Sequence, residues 1–374
     1  VVVAWALFWA LPSLEGRTGA QTAPATASTK ARQAGWPAVV AFPPPAQVAG
    51  AFTVAAVGDI MLGSSWPDPR DLPPNDGAEL LREVTPLVAG ADVAFGNLEG
   101  PLTDRGNTSK CPGASATCHA FRVPTRYGKH LQEAGFDVLS LANNHALDFG
   151  PAGRASSERV LDGLGIAHSG RVGDVAHLVV KGKKIDLIAF ATYPTSYNLN
   201  DLGTARKVVG RSAATADIVI VSFHGGAEGA AYQHVPAGAQ TFLGEKRGDL
   251  RKFARAVIEA GADLVLGHGP HVVRGMEVYR KRLIAYSLGN FATYGKFNLS
   301  GPNGLSLILE VRLAGDGEFL GGRIHPVKQE KPGGPRPDPQ GAIIPMVRTL
   351  SQEDFAASAI RVAEDGTLSA PPAP

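Results

Sequence analysis

One stretch, Gly261 to Phe291, constrains the fold more than any other: GADLVLGHGPHVVRGMEVYRKRLIAYSLGNF. Its apolar run, Ala262 to Leu266, has the length and composition of a buried strand. The run stops at Gly267, and His268 and His271 follow, separated by Gly269 and Pro270, which end any helix. A second apolar segment, Leu283 to Leu288, stops at Gly289 and Asn290. Two histidines on a Gly/Pro loop beyond a buried strand occupy the place where an open α/β sheet carries its ligands.

The same punctuation recurs upstream. Phe52 to Val57 ends at Gly58-Asp59, and Ala91 to Phe95 ends at Gly96-Asn97-Leu98-Glu99. Val138 to Leu141 ends in Ala142-Asn143-Asn144-His145, and Ile218 to Phe223 ends at His224. Helical patterns separate them at Glu79–Val88, Tyr127–Ala134, Ala155–Leu164 and Gly248–Ala260. His177–Val180 and Ile185–Ala191 form a strand pair. Leu305–Leu313 and Phe319–Val327 form a hairpin around Gly315-Asp316-Gly317, and Gln352–Glu364 is the expected last helix. The alternation argues for an α/β protein with a mixed sheet or two packed sheets.

Singly, each terminal polar residue is an ordinary turn former or a packed histidine. Together, Asp59, Glu99, Asn144, His145, His224, His268 and His271 all follow β-type runs whose ends can converge on one edge. A mixture of carboxylate, imidazole and amide oxygen suits one or two divalent ions such as Mn²⁺, Zn²⁺ or Fe²⁺. No thiolate completes a structural zinc cage. Cys111 and Cys118 instead suit a disulfide around a short loop.

Charged residues make up 19% of the chain and the net charge is +2, so nothing calls for nucleic acid. Val1 to Leu14 is apolar and precedes Thr18-Gly19-Ala20. This resembles the core and cleavage zone of a secretory signal, with a short buried helix as the alternative. The expected organisation is therefore a leader or anchor at 1–20 and an Ala/Thr/Pro/Gln linker at 21–50. The expected location is secreted or membrane-anchored, on the extracytoplasmic face of the cell envelope.

Six ordered motifs carry a family resemblance: VGDIML (57–62), GNLEGPLT (96–103), LANNHALDFG (141–150), FHGGAE (223–228), GADLVLGHGPHVVRGMEVY (261–279) and YSLGNF (286–291). The series resembles the bacterial CapA-type capsule-synthesis, or poly-γ-glutamate biosynthesis, family, a branch of the calcineurin-like metallophosphoesterases. The resemblance implies a four-layer α/β/β/α sandwich with mixed sheets over residues 51–330, followed by an extension, 331–374, partly packed on it. It implies Asp59, Glu99, Asn144, His224, His268 and His271 as metal ligands and His145 as the proton donor to a leaving group. Glu228 falls in the family's His-x-Gly-x-Glu pattern as a general base or further ligand. Asn97, Asn290 and Arg122 become candidates for substrate or for support of the ligands, with Lys110 and Arg274 as further cations for an anionic substrate.

Three departures from the phosphoesterase pattern stand out. Met61 replaces its histidine, Asp148 lies two residues beyond its usual place after His145, and Gly-Pro separates His268 from His271. The implied activity is metal-dependent hydrolysis or transfer at a phosphoester or γ-glutamyl amide of an anionic polymer or precursor. The alternative is a non-catalytic, polymer-binding component of a membrane-bound capsule-synthesis complex.

Overall fold

A computed structural model describes residues 50–111 and 118–372. The expected leader, and the linker up to residue 49, lie outside the described residues. No helix among the described residues is long and apolar enough to cross a membrane.

Strand Phe52–Met61 is the axis of the larger sheet. It runs parallel to Val93–Leu98 on one side and antiparallel to Leu305–Leu313 on the other. Val138–Ser140 and Ala167–Ser169 extend the parallel side, and Phe319–Lys328 extends the antiparallel side. The second sheet runs Met276–Tyr279, Arg282–Ala285, Leu264–His268, Ile218–His224, Lys183–Ala191, Ala176–Val180, again with mixed directions.

Alternation along the strands builds the layers, because successive side chains point to opposite faces. Val54, Ala56 and Phe95 of the first sheet share one apolar cluster with Leu187, Ile220 and Leu266 of the second. Their neighbours Ala55, Val57 and Ala94 pack the other way, with Leu131 and Leu161 of helices Gly128–Glu133 and Gly150–Leu164. On the far side, Val219, Val221 and Val265 meet Val209 of helix Leu202–Ala213 and Phe253 and Val257 of Leu250–Glu259. Helix, sheet, sheet, helix is the expected four-layer sandwich. Each fully buried Leu, Val or Phe in these clusters contributes about 1.5–3 kcal/mol over an exposed one.

Local chemistry explains where elements differ from the sequence pattern. Only Thr85–Val88 of the expected helix 79–88 is helical, because Pro86 fits only a first turn. Helix Gly150–Leu164 starts earlier than expected, with Pro151 in its first turn. The last helix is Ile343–Phe355, not 352–364: Ile343, Ile344 and Val347 close the intersheet core, and Ala356 breaks the helix at φ 45°. Beyond it Arg361–Val362 and Thr367–Ser369, like Arg336–Pro337 before it, are strands of the larger sheet. Residues past 331 thus complete that sheet.

The stretch 261–291 crosses between the sheets. It supplies three strands of the second sheet and then enters the first as Asn290–Thr293, parallel to the end of Phe52–Met61. Gly289, at φ 67°, makes the crossing, and its carbonyl accepts the Asp59 amide at 2.8 Å. The backbone approach there leaves no room for a Cβ at Gly58.

Candidate metal and catalytic site

The polar strand ends meet where the two sheets touch. Asp59 lies in register with Asn290 on one side and Asn97 on the other. His268 lies in register with His224 on the neighbouring strand of the second sheet. His268 Nε2 is 3.1 Å from the Val57 carbonyl, a contact across the sheets. Only an N–H can serve a carbonyl, so this bond leaves Nδ1 as a free lone pair.

Amide side chains lock the ends together. Asn97 Nδ2 donates to Asp59 Oδ1 at 2.8 Å and lies 3.4 Å from His224 Nδ1. Asn143 donates to Asn97 Oδ1 and the Leu98 carbonyl, and its own Oδ1 accepts the His145 amide. His271 sits at φ 57°, a left-handed backbone rare outside glycine. Asn290 and Asn303 hold it there, each donating to its carbonyl at 3.2 Å. Its Nδ1 lies 3.0 Å from Asp59 Oδ2 and 3.1 Å from Asn290 Oδ1, and its Nε2 lies 3.6 Å from Glu99 Oε1.

Asp59, Glu99 and His271 offer ligand atoms within 4.8 Å of one another. His224 Nε2 is 3.8 Å from Glu99 Oε1. Both Glu99 oxygens, Asn144 Oδ1, His224 Nε2 and His268 Nδ1 are buried without a hydrogen-bond partner. Leaving a buried carboxylate unpaired costs several kcal/mol. The group Asp59, Glu99 and His271, with the unpaired oxygens of Glu99 and the unpaired His224 Nε2 beside it, therefore fits a divalent cation.

The electrostatics agree. Burial pushes Glu99 well above the carboxylate range and pulls His224 well below the usual imidazole value. Burial also lowers His268 and His145. His271 behaves oppositely. Burial disfavours its charge, but Glu99 and Asp59 outweigh burial and hold it at about 10. In the metal-free protein a protonated His271 is the cation of the cluster.

His145 stands beside this cluster. Its Nδ1 is 2.7 Å from Asp148 Oδ2, and Lys110 Nζ reaches Asp148 Oδ1 at 2.7 Å and the Asn144 carbonyl at 3.1 Å. The sequence placed Asp148 out of step with His145. The turn between them brings the side chains together at i, i+3. Lys110 arrives with the Cys111–Cys118 disulfide, whose Cα atoms are 5.6 Å apart.

A cleft of about 480 Å³ opens above, lined by Asn144, His145 and His271 together with Lys110, Lys296, Glu228 and Arg247. Glu228 is on the wall, apart from the three-residue cluster, with Oε1 2.8 Å from Arg247. Arg247 gave no signal in the sequence. It is almost fully buried, and it also binds the Gly226 carbonyl and Tyr193.

Two expected substrate cations are elsewhere. Arg122 is tied to Ser65 and lies over the Phe149 ring, because strand-like alternation turns its neighbour Phe121 to the cleft instead. Arg274 is fully buried and bonded to Tyr232, Gln240 and Ala227, which makes it a structural clamp. Met61, where the phosphoesterase pattern has histidine, packs in the apolar layer under the first sheet.

Fold and site define a four-layer α/β protein with a buried carboxylate–histidine–amide cluster at the junction of its sheets. The family described as "Bacterial capsule synthesis protein PGA_cap" matches residues 53–294, and the chain belongs to that family. It is 31% identical over 263 residues to "Capsule biosynthesis protein CapA" of Bacillus anthracis, covering 64% of this chain and 59% of that one. It is 30% identical over 259 residues to "PGA biosynthesis protein CapA" of Bacillus subtilis (strain 168), covering 64% and 63%. The chain thus spans less than two thirds of the length of either relative. A 5'-nucleotidase precursor from Thermus thermophilus is a looser structural neighbour, with a TM-score of 0.42 and 15% identity over 82% of this chain and 59% of that one.

Proposed function

We propose that this chain is a metal-dependent hydrolase or transferase in capsule or poly-glutamate biosynthesis, acting outside the cytoplasm on an anionic polymer or its precursor. The observation that carries the reading is the group Asp59, Glu99 and His271, whose ligand atoms lie within 4.8 Å of one another with both Glu99 oxygens unpaired, beside a cleft that His271 and Asn144 line. The family membership supports the process, and the apolar N-terminal run and the disulfide support the location.

Asp59, Glu99, Asn144, His224, His268 and His271 would hold one or two ions. A divalent ion there supplies Lewis-acid charge at a phosphoryl or carbonyl oxygen. His145 does the proton work. With Nδ1 held by Asp148, its Nε2 is the nitrogen free to exchange a proton. An anionic group above it favours the imidazolium, the form that donates to a leaving group. Lys110 orients this pair and, with Lys296, presents positive charge to the substrate.

A second reading, a polymer-binding component without turnover, is favoured by Met61, which removes a ligand from the first ion's expected set. Elemental analysis of the purified protein, with turnover assays on phosphodiesters and γ-glutamyl amides in Mn²⁺, Zn²⁺ or Fe²⁺, separates the two. Catalysis predicts bound metal and turnover that His145→Ala abolishes while metal is retained. Bound metal without turnover on either bond favours the second reading, and absence of both overturns the site itself.

A further inference from the structure

The cleft has two walls of opposite character. On the side of the second sheet, Arg247 is bracketed by Glu228 at 2.8 Å and Glu245 at 3.3 Å, two carboxylates to one guanidinium. That wall disfavours any further anion. On the side of the first sheet, Lys110, His119 and Lys296 line the same cavity. The sequence explains how they meet. Lys110 precedes Cys111 and His119 follows Cys118, so the disulfide, with Cα atoms 5.6 Å apart, brings both to the cleft. Lys296 comes from the loop after Asn290–Thr293 and is seated on the Trp66 carbonyl at 2.8 Å. Phe121, itself buried, packs against both His119 and His145, at centroid distances of 6.3 and 4.2 Å.

These groups keep donors for a ligand. Lys110 is engaged with Asp148 and the Asn144 carbonyl and contributes mainly charge. Lys296 has three donors and hydrogen-bonds the Trp66 carbonyl, while Asp71 at 3.8 Å is beyond hydrogen-bond reach. His119 is exposed, and among the described residues nothing hydrogen-bonds its ring. Burial and the charges of Lys296 and Lys110 hold it below the usual imidazole value, with Asp148 acting the other way. An anion placed among the three would draw a proton onto His119 and gain a further donor.

We propose that Lys110, His119 and Lys296 form a subsite for a second oxyanion group of the substrate, a carboxylate or a phosphate, on the His145 side of the cleft. The inference rests on the anion-processing reading above and narrows its substrate to a compound with two anionic groups, one at the metal cluster and one beyond it. Lys110 Nζ is 3.2 Å from His145 Nδ1, so the second group belongs to the half of the substrate that His145 protonates as it leaves. A cavity of about 480 Å³ holds both groups.

The test is equilibrium binding of propylphosphonate, 3-phosphonopropionate and ethylenediphosphonate to the full chain, with free Mn²⁺ held constant. None has an ester or amide to cleave, and the last two carry a carboxylate or a phosphonate where the first has a methyl group. The wild type should bind at least one of these two about tenfold more tightly than propylphosphonate, and the larger gain identifies the oxyanion. His119→Asn and Lys296→Met should each reduce that gain severalfold. His119 is exposed, so His119→Asn should melt as the wild type does. Equal affinities of the three compounds in the wild type, or an undiminished gain in either variant, would overturn the subsite while leaving the anion site at the metal cluster standing. If none of the three binds, the anion-processing reading fails and this inference fails with it.

Discussion

Titrating metal against pH is the sharpest probe of the cluster. His271 carries a proton up to about 10 in the metal-free protein, because Glu99 and Asp59 surround it, and it must lose that proton to become a ligand. Metal binding near neutrality therefore releases at least this one proton, so affinity should rise about tenfold per pH unit, or about 1.4 kcal/mol. Burial raises Glu99 in the same sense, and any proton it holds adds to the slope. The metal-free protein should behave in the opposite way. A folded pKa raised above the ordinary 6.5 means that the stability from His271 is full below 6.5 and is lost as pH rises through about 10. Ions at a hundred times their dissociation constant stabilise by about 2.7 kcal/mol. The gap in melting temperature between metal-loaded and metal-free protein should therefore widen steadily from pH 6.5 to about 9. Calorimetry in buffers of different ionisation enthalpy counts the protons directly. A gap that stays flat or narrows with pH, or no proton release, refutes the assignment of His271 as a ligand.

Other perturbations have distinct signatures. Asp148→Asn removes the carboxylate that orients His145 and should lower turnover about 100-fold with bound metal unchanged, as read by steady-state kinetics and elemental analysis. Arg274→Met strips a buried clamp from its three acceptors and should cost about 3 kcal/mol in denaturant unfolding, an expectation that a small effect would contradict. Arg122→Ala should change substrate affinity less than about twofold, because its guanidinium is bound to Ser65 and faces Phe149; a loss of about tenfold would return it to the substrate site. Replacing both Cys111 and Cys118 by serine opens a short loop and should cost roughly 2 kcal/mol, measured by thermal unfolding, and should loosen Lys110 from Asp148.

What could be read from the sequence follows from how local each determinant is. Strand ends announce themselves because an apolar run stopping at Gly, Asn, Asp or His is a contiguous pattern, and the candidate ligand series came from it. His224 and His268 end their strands and Glu99 directly follows one, whereas the strand expected to stop at Asp59 runs on to Met61 and His271 lies in the loop three residues past His268. The helix ends were less legible, since Pro86 and Pro151 set them through steric fit to a first turn. Long-range pairing was least legible. Arg122 and Phe121 are adjacent, and only the strand-like alternation of that segment decides that the phenylalanine, not the cation, meets the cleft. Arg247 sits in an ordinary Glu-Lys-Arg-Gly run and gains meaning only beside Glu228, Glu245 and Tyr193.

The Gly-Pro spacer between His268 and His271 shows how one local oddity becomes a global property. The added residue lets His271 leave the strand and take a left-handed backbone, where Asn290 and Asn303 fix its carbonyl. Asn290 is already a residue of the first sheet, paired with Asp59. His271 is thus oriented by the sheet opposite the one its chain has just left, and His268 contacts Val57 across the same junction. The cluster exists only while the two sheets are docked, so an ion bound there ties them together. Ligand loss should therefore weaken the junction of the sheets before it touches either helix layer, and hydrogen exchange should show it first at the amides of Asp59 and Asn290. Protection lost uniformly across both sheets on metal removal would instead mean that the cluster reports on global stability and has no special hold on the junction.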